Sequence, residues 1–292
     1  MLHARLEATL SKWLVTTDWL ANHLDAPDLA ILDASWHLPN SGRNAKAEFL
    51  SAHVPGALFF DIDELSDSSS LYPHMLPSAE KFSSRMRKMG IGDGKKIVVY
   101  DSLGLYSAAR AWWMFRIFGK DDVAVLDGGL LKWKAEGRPI EDGEPPPRQE
   151  RHFTARFRAM FVRDRNDVLK ALGEKQEQLA DARAAGRFAG TEPEPRKGVR
   201  SGHIPGAKSL PFSSLVNSDG TVKSPEQIEA AFRQAAIDPA RPVVAYCGSG
   251  VTAAILALGL AIAGHDENAV YDGSWAEWGS AQDLPIATGD KS

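Results

Sequence analysis

The chain repeats itself, and that constrains its fold more than any single motif. Four segments of the first half recur in the same order in the second half, at offsets of 145 to 150 residues. Residues 52–61 (AHVPGALFFD) match 202–212 (GHIPGAKSLPF), and residues 97–101 (IVVYD) match 243–247 (VVAYC). Residues 123–140 (VAVLDGGLLKWKAEGRPI) match 269–286 (AVYDGSWAEWGSAQDLPI), pairing Asp127 with Asp272 and Trp133 with Trp278. The strand-like ILDAS at 31–35 matches LADAR at 179–183. A duplicated domain follows, because ordered self-similarity at one long period marks repeated structural units.

Each copy sets short β-branched runs such as IVVY and VVAY between longer apolar stretches. That alternation predicts an α/β fold: tandem domains, each a mainly parallel sheet flanked by helices. The stretch AAILALGLAIAG after residue 252 is apolar nearly all round, which suits a helix buried on every side, stopped by Gly264. Residues 142–150 hold three consecutive prolines and read as an extended linker. The expected organisation is a first domain at 1–141 and a second at 151–292, and a length of 292 residues allows both to bury a core.

A 43% hydrophobic, 25% charged chain of net charge −4 describes a globular protein and implies neither nucleic acid nor a membrane as partner. With no long apolar run, and with Glu7, Lys12 and Asp18 breaking up the first twenty residues, a cytoplasmic location is expected. One cysteine is too few for a disulfide or a usual zinc or iron–sulfur site, and the histidines lack ligand spacing, so no metal or cofactor is expected.

That cysteine, Cys247, ends the strand VVAY and opens the loop Gly248, Ser249, Gly250, Val251, Thr252 before the buried helix. A strand, tight loop and helix start direct several main-chain N–H groups at one spot, where an anion such as a thiolate is favoured. A lone cysteine is otherwise a small buried hydrophobe. The glycines also satisfy a dinucleotide pattern, but the equivalent loop after Tyr100 does not repeat that pattern of glycines. A cysteine phosphatase would need an arginine to clamp phosphate where Ala253 stands.

These residues resemble the rhodanese and mercaptopyruvate sulfurtransferase family over almost the whole chain. CGSGVT at 247–252 is similar to the mercaptopyruvate branch, and GRFAGTEPEPR at 186–196, SGHIPGA at 201–207, YDGSWAEW at 271–278 and FFDID with YPHMLP fit the family too. The resemblance implies two rhodanese domains, with Cys247 active and Asp101 marking a silent first copy. It implies that Cys247 takes sulfur as a persulfide from 3-mercaptopyruvate, with Gly248, Gly250, Val251 and Thr252 around the substrate. Arg187 and Arg196 would hold the substrate's carboxylate and keto oxygen, although an ion pair with Glu192 or Glu194 is the other use of such arginines. Ser249, His74 and Asp63 would form a proton-handling group across the domain interface. His53 and His203, being duplicated, are expected to be structural, and the duplicated tryptophans to be core. The acceptor must be external: cyanide, a small thiol or a reduced thioredoxin-like protein. A thiosulfate sulfurtransferase and a non-catalytic persulfide carrier are the alternatives.

Overall fold

The computed structural model describes residues 11–174, 176–266 and 268–289. The outer ends of both expected domains, Glu7 included, lie outside the described residues.

The repeat becomes two five-stranded parallel sheets. The first contains β1 (Leu14–Val15), β2 (Leu29–Asp33), β3 (Leu58–Phe59), β4 (Lys96–Tyr100) and β5 (Val123–Leu126), in the order β1-β5-β4-β2-β3. The second contains β6 (Val162–Arg163), β7 (Gln178–Asp181), β8 (Lys208–Ser209), β9 (Val243–Tyr246) and β10 (Asn268–Tyr271), in the order β6-β10-β9-β7-β8, the same topology strand for strand. Past Lys96 at the start of β4 the central strands are buried throughout, which is why IVVY and VVAY read as continuous apolar runs rather than alternating ones.

The alternation of side chains sorts each strand between two layers. Ile97 and Val99 of β4, and Val243 and Ala245 of β9, face a shared interior that also holds Cys247. Val98 and Tyr100 face an outer core with Trp133, while Val244 and Tyr246 face another with Trp278. Helices Ala108–Ile117 and Ala253–Ile262 fill the shared interior and pack on one another. Every residue of both is buried, because each lies between its own sheet and the opposite domain. Burying an Ile or Leu side chain here contributes roughly 1.5–3 kcal/mol, whereas a charge placed in this layer must find a partner.

The duplicated motifs make duplicated bonds. Tyr100 Oη accepts from Val54 N at 3.1 Å and Tyr246 Oη from Ile204 N at 3.2 Å. Trp133 Nε1 donates to Pro139 O and Trp278 Nε1 to Pro285 O, both at 2.7 Å. Between the copies, residues 142–158 form no helix or strand. They stay on the first half: Gly143 N donates to Leu50 O at 2.7 Å, Phe153 is buried against Phe82, and Arg156 N donates to Phe118 O at 2.8 Å.

Candidate active site

Asp101 and Cys247 each follow the central strand of their sheet, and the first shows what the loop is built to hold. Leu103 N donates to Asp101 Oδ1 at 2.9 Å, while Tyr106 N, Ser107 N and Ala108 N converge on Oδ2 at 2.7, 2.9 and 2.8 Å. The loop entering the helix is therefore an anion cradle, occupied in the first copy by its own carboxylate. In the second copy the sulfur of Cys247 leaves the corresponding strand end. Cys247 N donates to Ser274 Oγ at 3.2 Å, and Trp275 N and Ala276 N donate to the carbonyls of Cys247 and Gly248 at 2.9 and 2.8 Å. These bonds fix the loop from the start of helix Ser274–Trp278.

Cys247 is 1% exposed, beneath a rim that includes the partly exposed Gly248 and Tyr106. An open thiol is not what the fold presents. Any reactant must pass that rim to reach the sulfur.

The proton-handling residues predicted from the sequence do meet. Ser249 Oγ lies 2.8 Å from His74 Nδ1, and His74 Nε2 lies 3.0 Å from Asp63 Oδ1. Ser249 and His74 are buried, whereas the Asp63 side chain is 64% exposed at the rim. The hydrogen bond from His74 is the main reason the Asp63 carboxyl lies below the usual carboxylate range, with Trp36 Nε1 adding a bond at 3.1 Å. The Trp36 ring also stands edge-on to His74 at 4.7 Å. His74 has φ 62°, left-handed for a non-glycine residue, which costs roughly 1–3 kcal/mol unless its surroundings hold it there. Arg110 donates to the His74 carbonyl, and Leu76 N donates to Asp272 Oδ2 at 2.7 Å.

Arg187 and Arg196 reach the same neighbourhood. A Cβ placed on Gly248 would meet Arg187 Nη2 at 3.0 Å, so the guanidinium covers the residue next to the cysteine. The ion pair weighed as the alternative is present: Glu194 takes Arg187 Nε at 3.2 Å and also pairs with Arg183 at 2.7 Å. Glu194 is thus a tether that aims Arg187 at Gly248. Arg196 is half-buried, and burial pushes its guanidinium down, as does the like charge of Arg187; Cys247, Glu194 and Asp63 act in the opposite sense. Tyr106 is pushed up to about 12, first by burial and then by the charge of Cys247, with Arg187 and Arg196 opposing.

Tyr106, Trp36, Ser274 and Arg110 were not singled out from the sequence, and Glu194 was named only as an ion-pair partner, not as a part of the site. Comparing loop with loop, Tyr106 could have been found, because it lies in the first-copy counterpart of the cysteine loop. The others carry no periodicity or spacing signal. His53 Nδ1 and His203 Nδ1 meet the carbonyls of Phe49 and Phe188 at 2.7 and 2.8 Å, and both rings are buried away from the cysteine loop. The paired aspartates reach across the interface in opposite senses: Asp272 takes Leu76 N, and Asp127 takes Val222 N at 2.8 Å.

Two parallel domains, one offering a cysteine where the other offers a carboxylate, define a tandem α/β protein with one cysteine-bearing loop. The rhodanese-like domain model matches this chain twice, at residues 16–136 and 164–281. The chain belongs to the rhodanese family, in its two-domain form. It is 46% identical over 275 residues to the 3-mercaptopyruvate sulfurtransferase of Homo sapiens, covering 92% of each. It is 42% identical to the mitochondrial thiosulfate/3-mercaptopyruvate sulfurtransferase 1 of Arabidopsis thaliana, covering 97% of this chain and 80% of that one. The crystal structure of a 3-mercaptopyruvate sulfotransferase from Escherichia coli superposes with a TM-score of 0.83 at 42% identity, covering 90% of this chain and 98% of that one.

Proposed function

We propose that the protein is a 3-mercaptopyruvate sulfurtransferase that carries sulfur as a Cys247 persulfide. The observation that supports this best is the chain Ser249–His74–Asp63, with contacts of 2.8 and 3.0 Å, assembled from both domains beside the cysteine loop. A group that handles protons answers the hard part of this reaction. The Cys247 thiolate attacks the sulfur of 3-mercaptopyruvate, an S–S bond forms, and the C–S bond breaks with its electron pair going to carbon. The adjacent keto group takes up that charge as an enolate, and protonation of the carbon releases pyruvate.

Arg187 and Arg196 suit the carboxylate and the developing enolate oxygen, since a planar fork of donors in a half-buried site stabilises charge as it forms. The relay takes up the proton that Cys247 loses on becoming a thiolate, so that an imidazolium faces Asp63, and returns it through Ser249 to the carbon, which leaves His74 neutral. The main chain of Gly248, Gly250, Val251 and Thr252 surrounds the transferred sulfur. The small neutral pair Gly248 and Ser249 leaves room for an organic donor and offers little to dianionic thiosulfate.

The persulfide then passes to an external acceptor, a small thiol, a reduced thioredoxin-like protein or cyanide, because the chain has no second cysteine. A cytoplasmic location accompanies this reading; among the described residues no helix is long and apolar enough to cross a membrane. The test is Cys247→Ser assayed for pyruvate release from 3-mercaptopyruvate. Release should vanish, and the wild-type chain should gain about 32 Da on Cys247, one sulfur atom. Continued turnover by the variant refutes the nucleophile.

A further inference from the structure

We infer that Arg110 is a positioning residue that sets His74 against Ser249 by holding the backbones of both their loops. The inference rests on the reading of Ser249, His74 and Asp63 as the proton path. Arg110 is fully buried on helix Ala108–Ile117, with its guanidinium 4.5 Å from the Trp113 ring. Its Nη2 donates to the His74 carbonyl, and its Nη1 donates to the Gly250 carbonyl at 3.3 Å. Nη2 also lies 2.8 Å from Asp272 Oδ1, while Oδ2 of the same carboxylate takes Leu76 N at 2.7 Å. One ion pair therefore grips His74 at its own carbonyl, the chain two residues later, and the residue next to Ser249.

Two further observations separate this role from ordinary packing. The corresponding third position of helix Ala253–Ile262 is Ile255, and its helix is equally buried, so the fold does not require an arginine at this place. The counterpart aspartate, Asp127, still makes its own bond across the interface, to Val222 N, and among the described residues it forms no ion pair with an arginine. The cross-domain latch exists twice, and the arginine is added only on the side that carries His74 and Cys247. His74 needs such a grip, because its φ of 62° is one a non-glycine residue abandons when released. Gly250 is fitted to the same group: a Cβ there would meet Arg110 Nη1 at 3.0 Å and the Asp272 carbonyl at 2.9 Å.

Arg110 touches no reacting atom, so its loss should act through His74. Arg110→Lys keeps a charge for Asp272 but cannot bridge the two carbonyls in a planar fork. With 3-mercaptopyruvate, kcat should fall about 10- to 100-fold while KM stays within about 3-fold, since Arg187 and Arg196 are untouched. Combined with His74→Ala, the second substitution should add less than about 2-fold to the loss from His74→Ala alone, the signature of residues acting as one unit. If Arg110→Lys fails to fold, the volume-conserving neutral pair Arg110→Met with Asp272→Asn takes its place in the same cycle. Losses that multiply, or a kcat equal to wild type, overturn the role of Arg110. If His74→Ala itself leaves kcat unchanged, the proton path falls instead; a large loss in His74→Ala with none in the Arg110 variant removes only this inference.

Discussion

Replacing Asp101 by Ala tests whether these loops bind anions, the property on which a reactive Cys247 depends. The substitution leaves four main-chain N–H groups, from Leu103, Tyr106, Ser107 and Ala108, without the carboxylate that now takes all of them. A hydrogen bond to a charged acceptor contributes about 1.5–3 kcal/mol. Four that share one carboxylate do not add in full, and water will enter the gap, so a loss of about 4 kcal/mol is expected. That is a large share of the roughly 5–15 kcal/mol that holds an ordinary fold. Urea unfolding read by tryptophan fluorescence measures it. Formate should then restore part of the loss, since with the Ala methyl it rebuilds the missing carboxylate. At 100 mM and a Kd on the order of 10 mM it returns about 1.4 kcal/mol. Formamide, with the same shape and no charge, should return almost none. A loss below about 1 kcal/mol, or equal recovery with the two additives, would show that the loop does not select an anion.

Gly248→Ala should raise the KM for 3-mercaptopyruvate several-fold with a smaller change in kcat, because the new methyl meets Arg187 Nη2 at 3.0 Å while Glu194 restrains that guanidinium; unchanged steady-state constants would mean Arg187 does not serve binding. Arg187→Lys should lower kcat/KM at least 10-fold even though the charge is kept, since a lysine cannot offer the fork; near-normal kcat/KM would dismiss the bidentate reading. Asp33 is 1% exposed and is pushed up to about 6, first by burial and further by the charge of Asp101, with bonds from Ser35 and Tyr100 opposing. Its folded value lies above its unfolded one, so its contribution is complete below about pH 4 and lost as pH rises through about 6, an effect of about 2–3 kcal/mol. Asp33→Asn should therefore melt above wild type at pH 8 and lose that advantage at pH 4; the same difference at both pH values would contradict the assignment.

The sequence by itself determined the duplicated α/β plan, because a parallel sheet buried on both faces must be written as continuous apolar runs, and a duplicated fold must repeat its turns and tryptophans. It also singled out Cys247 as the proposed nucleophile, since a cysteine between a strand and a glycine-bearing loop stands apart from a cysteine inside a helix or strand. The tertiary structure alone decided how the site closes. His74 and Ser249 are 175 residues apart and meet only because the two copies pack helix against helix. The pairing of Glu194 with an arginine was open to the sequence, but that it aims Arg187 at Gly248 was not, and Arg110 as the grip on two loops leaves no trace in spacing or periodicity. A buried charge such as Arg110 takes its role from whatever carbonyls and carboxylates the fold brings to it, and its two carbonyls lie 36 and 140 residues away, at His74 and Gly250.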